Sequence, residues 1–132
     1  MAVTGKNMVD QALRLIGHVN AQGAINENRE SKYYAVALSY LTVLQYELLN
    51  RENSSAVPVP VSDLNDNLLV SDETAYKVIP SGLAMYFSLI DRDTDNYNHF
   101  STVYYNNLLP LIKPDNVVIE DYYGISSDSS FQ

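Results

Sequence analysis

The sequence predicts an all-α fold: a small bundle of about four helices with an extended linker and an extended C-terminal tail. Three observations predict it. Between Tyr34 and Leu49 apolar residues recur at spacings of three and four, the helical period, without interruption. Pro58 and Pro60 alternate with Val57, Val59 and Val61, a pattern that excludes a helix and favours extended backbone. From Asp115 onward the pattern changes again, to a short β-prone run and a polar end. At 132 residues the chain has the size of one domain and buries about two thirds of its unfolded surface. Residues 1–114 are expected to form the helical domain and 115–132 the tail.

The first helix is expected over Lys6 to Ile16, with Met8, Val9, Ala12, Leu13, Leu15 and Ile16 as its apolar positions. Thr4 is its expected N-cap and Gly17 its stop. His18 to Asn28, with Gly23 and three asparagines, reads as a loop. The second helix is expected from about Glu27 to Arg51, capped by Asn26 or Asn28. Its core stripe is Tyr34, Ala37, Leu38, Leu41, Leu44, Leu48 and Leu49. Val36, Tyr40 and Val43 widen that stripe, which predicts cover on more than one side. Glu47 and Arg51 are placed to pair at i, i+4.

Residues 53–69 then form the linker. A third helix is expected from Ser71 or Asp72, with Glu73 in its first turn and a kink or break near Ile79 at Pro80. Its small residues Gly82, Ala84 and Ser88 suit a close helix crossing. Asp91 to Asp95 is the next turn. A fourth helix follows to about Leu109, ended by Pro110 and Pro114. In the tail, Val117, Val118, Ile119, Tyr122 and Tyr123 have no partner within a helical bundle, so they are expected to be held by another molecule or folded back.

Composition narrows the function. Sixteen acids against eight bases leave a net charge of −8, which opposes binding to nucleic acid or to an anionic membrane. The absence of cysteine removes disulfides, thiolate catalysis and cysteine metal sites. No apolar run approaches the roughly 18 residues of a membrane span, and no basic-then-apolar leader pattern opens the chain. A soluble protein made inside a cell is expected. Eleven tyrosines without a tryptophan suit surfaces that become contacts, because each ring covers apolar area while keeping a polar tip.

The sharpest motif is Asp91-Arg92-Asp93-Thr94-Asp95-Asn96, whose carboxylates match the first, third and fifth ligands of a calcium loop. The twelfth position is Thr102, so the bidentate ligand is missing. Asp93 or Asp95 is therefore read as a helix cap and Asp91 as solvated. His18 and His99 lie in no nucleophile elbow, and there is no phosphate loop or zinc motif. His18 is expected to favour the C-terminal dipole of the first helix, and His99 to face solvent. No acid falls on an apolar stripe where its pKa would rise. The reading is a non-enzyme with no metal and no cofactor.

The order of segments carries a resemblance. A helix of the form Met8-Val9-Asp10-Gln11-Ala12-Leu13-Arg14-Leu15-Ile16-Gly17 precedes a long leucine-rich helix. A Pro/Val linker then leads into Asp63-Leu64-Asn65-Asp66-Asn67-Leu68, and a helix starting Asp72-Glu73 contains Ile79-Pro80-Ser81-Gly82-Leu83-Ala84. Over residues 6–112 this resembles the head–tail connector proteins of tailed bacteriophages, also called adaptor or head-completion proteins. The resemblance implies a virion protein of the neck, assembled as a ring of usually twelve copies beneath the portal protein. Such a ring extends the DNA channel, through which DNA passes without specific binding, and docks a stopper or tail-completion protein. It implies no membrane partner. On this reading the tail residues Val117, Val118, Ile119, Tyr122 and Tyr123 bind the portal or a neighbouring copy, while Val57, Val59 and Val61 lie between subunits. The alternative is an acidic helical regulator that mimics DNA, which would need carboxylates arrayed along one helix.

Overall fold

The computed structural model describes residues 3–52 and 56–111. The tail residues Val117, Val118, Ile119, Tyr122 and Tyr123 lie outside the described residues. Four helices follow in order: α1 (Gly5–Leu15), α2 (Ser31–Arg51), α3 (Asp72–Ile90) and α4 (Thr94–Leu108). Among the described residues no strand forms, only an isolated antiparallel bridge between Thr4 and Asn67. α3 touches each of the other three helices and is the centre of the bundle.

α1 starts where its caps place it. Thr4 Oγ1 accepts the Asn7 N–H at 3.2 Å, and Asn7 Oδ1 accepts the Thr4 N–H at 3.1 Å, a reciprocal capping box. At the other end Gly17 sits at φ 83°, and the His18 and Gly17 amides return to the Leu13 and Arg14 carbonyls at 2.9 and 3.2 Å. That is a Schellman stop, which needs a left-handed residue after the cap. The same geometry ends α3, with Arg92 at φ 58° in the glycine position and the Asp93 and Arg92 amides bonded to Ser88 and Leu89. Asp93 then caps α4 through the Asn96 N–H at 3.1 Å. One residue thus closes α3 and opens α4.

Three expectations are corrected. α2 begins at Ser31, not Glu27, because the Asn26 side chain accepts from the Asn28 and Arg29 amides and makes its own turn before the helix. Of the kink or break expected at Pro80, the break is absent: α3 is one continuous helix through it. Val78, Ile79, Leu83 and Phe87 around that proline are fully buried, so packing outweighs the lost hydrogen bond. Leu38 is half-buried and Val43 is 54% exposed. The α2 stripe is therefore narrower than its apolar residues suggest, running through Tyr33, Ala37, Leu41, Leu44, Gln45, Leu48 and Leu49.

Candidate interaction surface

Two surfaces flank α2. The first is the strap of residues 56–70, the part of the linker that crosses the bundle. Gln45, 2% exposed, donates from Nε2 to the Val59 carbonyl at 3.2 Å and accepts the Leu69 N–H on Oε1 at 2.7 Å. Thr42 Oγ1 accepts the Val61 N–H at 2.9 Å. Further on, the Leu64 and Asp66 carbonyls accept the first-turn amides Lys6 and Gly5 of α1, and the Leu68 N–H bonds Val3. Val61, Leu68 and Val70 are buried in the chain's own core. Of the three valines assigned between subunits, only Val57 and Val59 face outward, at 75% and 48% exposure.

The strap's outer edge is chemically one-sided. The Val59 carbonyl and the Val61 N–H are spent on α2. Pro60 between them and Pro58 beside them are exposed and have no N–H to donate. The edge therefore offers side chains and carbonyls but no β-ladder.

The second surface is a tyrosine face over α2, α3 and α4. The rings of Tyr40 and Tyr86 stack in parallel, 4.5 Å apart at 4°. Burial raises the Tyr86 phenol above its ordinary pKa, helped by Tyr105, Tyr97, Tyr40 and the Glu47 carboxylate around it. Tyr105 is half exposed and meets the buried Tyr104 edge-on at 5.0 Å. α4 carries Asp95 in its first turn, and its sequence holds no lysine or arginine. The close approach beneath this face depends on Gly82. A Cβ there would lie 2.8 Å from Leu44 Cδ2 and 3.0 Å from the Tyr104 ring. The small residues of the third helix pointed to such a crossing.

A third feature is polar and holds the loop before α2. Glu30 is nearly fully buried, a carboxylate that sequence reasoning missed because it sits at a helix start rather than on a stripe. His18 Nδ1 lies 2.9 Å from its Oε1 and Arg29 Nε donates to Oε2 at 2.6 Å. Burial alone would push this carboxyl up, but those hydrogen bonds outweigh it and hold it below the usual value. The His18 ring also meets Tyr33 of α2 edge-on at 5.1 Å, so the residue that closes α1 is tied to the start of α2 as well. Asp91 is exposed, as expected, but its carboxylate is also paired. It accepts from the Tyr33 hydroxyl and from Lys32 Nζ at 2.8 Å, which together overcome burial and lower its pKa. Lys6 pairs with Asp10 and Glu27, each at 3.0 Å, and the Tyr34 hydroxyl donates to Asp10. His99 is exposed on α4.

Among the described residues no three metal-ligating side chains converge, and no helix is long and apolar enough to cross a membrane. The described residues thus form a small all-α bundle that carries a phenolic face and an exposed Val/Pro strap. Comparison with protein-family profiles, with curated proteins and with solved structures found no match for the chain.

Proposed function

We propose that this chain is a structural subunit of a phage head–tail connector, an adaptor that forms a ring below the portal and docks the stopper or tail. The observation that carries this reading is the pairing of a phenolic face with an outward Val/Pro strap on one small, well-packed bundle. Such rings consist mostly of interface, and aromatic residues are enriched in the buried centres of interfaces. A net charge of −8 keeps DNA moving past the wall rather than adhering to it. The acidic-mimic alternative is weakened because Asp10, Glu27, Glu30, Glu47 and Asp91 are each paired with a cation of the same chain.

The test is attachment of the purified chain to portal-bearing, DNA-filled heads that lack it, followed by tail joining. Full-length protein is expected to bind and restore joining. Ending the chain after Pro114 is expected to leave the melting temperature nearly unchanged while abolishing attachment. If the truncated protein unfolds, the segment belongs to the monomer core. If it attaches and supports joining, the tail does not anchor the ring. Full-length protein that never attaches removes the connector reading.

A further inference from the structure

We infer that the Val57–Pro60 strap of one copy seats on the tyrosine face of the next copy, so that neighbours meet head to tail. This deepens the ring reading and rests on it. Alternating valine and proline favours the polyproline II helix, which has three residues per turn and is already ordered before it binds. Surfaces that take such segments are lined with aromatic rings, which stack on proline and pack between its turns. The strap presents that ligand. Val57, Pro58, Val59 and Pro60 are all exposed, and two prolines without an N–H oppose sheet addition as the mode of contact. The face presents the receptor, with the stacked Tyr40 and Tyr86 continuing to Tyr97 and the half-exposed Tyr105.

Charge selects a second copy as the occupant. Copies with a net charge of −8 repel one another, so contact between them favours their least charged surfaces. Residues 56–62 carry no charge, α4 carries Asp95 with no lysine or arginine, and the charges beside the rings on α2, Glu47 and Arg51, are paired with each other at 2.8 Å. Placement selects the head-to-tail arrangement. Thr42 and Gln45, which hold the strap, lie about 140–160° round α2 from Tyr40 and Glu47, at about 100° per residue. A strap and a face on opposite flanks of the same helix cannot meet within one chain. Between chains they make a heterologous contact, the kind that closes into rings. Part of four rings, each about 150–250 Å² in full, falls short of the roughly 800 Å² a side of a stable pair. A single contact is therefore weak, and closure of the ring makes it persist.

The first measurement uses the peptide Ala56–Ser62 as probe, titrated to millimolar concentration into the full-length chain while tyrosine ring resonances are followed. Saturable shifts at Tyr86, Tyr97 and Tyr105, lost in Tyr105→Asp, are expected. A peptide that shifts nothing overturns the inference. The second uses Val57→Asp, which spoils the strap, and Tyr105→Asp, which spoils the face. Each alone is expected to be monomeric at concentrations where the parent associates. Mixed at millimolar concentration, where a single weak contact is populated, they should form dimers of one variant with the other and nothing larger, because one strap and one face remain intact between them. Should Tyr105→Asp melt early, the uncharged Tyr105→Ser replaces it. Variants that associate like the parent, or a parent that stays monomeric at millimolar concentration, overturn the contact. Failure of the parent to attach to heads, with peptide binding intact, instead sinks the connector reading.

Discussion

Removing the charge from Glu30 is expected to cost stability at neutral pH and to flatten the acid side of the stability profile. Glu30 and Asp91 both titrate below their ordinary carboxylate values in the folded chain. Each therefore contributes stability that is present above the unfolded value, about 4.5 or 3.8, and is lost as pH falls through the lower folded value. Glu30→Gln keeps the shape but weakens two charge-assisted bonds, an expected loss of about 1–3 kcal/mol. Thermal melts from pH 7 downward check both parts, and an unchanged acid slope would show that Glu30 does not carry the transition. Gly82→Ala gains about 1 kcal/mol of helix propensity but overpacks Leu44 and Tyr104, which costs about 1–3 kcal/mol. A net loss near 1 kcal/mol in urea unfolding is expected. At this scale the caps were legible: Thr4, Gly17 and Asp93 do what their residue types imply. Glu30 was not, because its burial comes from a loop folding back, which no local pattern encodes.

The strap is held to α2 by few polar contacts, and Gln45 makes two of them. Gln45→Leu matches the surrounding apolar stripe yet leaves the Val59 carbonyl and Leu69 amide without their partner. The expected result is a loss of about 1–2 kcal/mol, since each unmade bond near the surface is partly replaced by water. Hydrogen exchange should speed up first at Leu69. Equal protection of that amide in parent and variant would show that side-chain burial alone holds the strap. The helices themselves were largely legible from period and caps. What failed were edges and faces: the start of α2, where Asn26 takes the turn for itself, and the outer side of α2, where Val43 continues the apolar pattern into solvent. Pro80 was read by its local cost, which burial of its neighbours on α3 overrides. Gln45 had a signal, a polar residue between Leu44 and Leu48, but nothing in the sequence said what it would bind.

For the whole molecule, the four-helix class followed from the sequence, whereas the centrality of α3 and the path of the strap did not, because both depend on contacts distant along the chain. Of the two surfaces proposed for assembly, the strap was marked by its valines and prolines, whereas the face was visible only as an excess of tyrosine until the helices brought the rings together. The capping of α1 by the strap also sets an order in time. The Gly5 and Lys6 amides find their acceptors on Asp66 and Leu64, and the helix they open packs against α3. During synthesis, at about 5–20 residues per second, the first helix leaves the ribosome several seconds before the segment that completes it. Through that interval Met8, Val9, Ala12 and Leu13, all fully buried in the finished fold, have no core to enter. α1 is thus made well before the strap and the α3 surface that complete it, and settles only once both have followed.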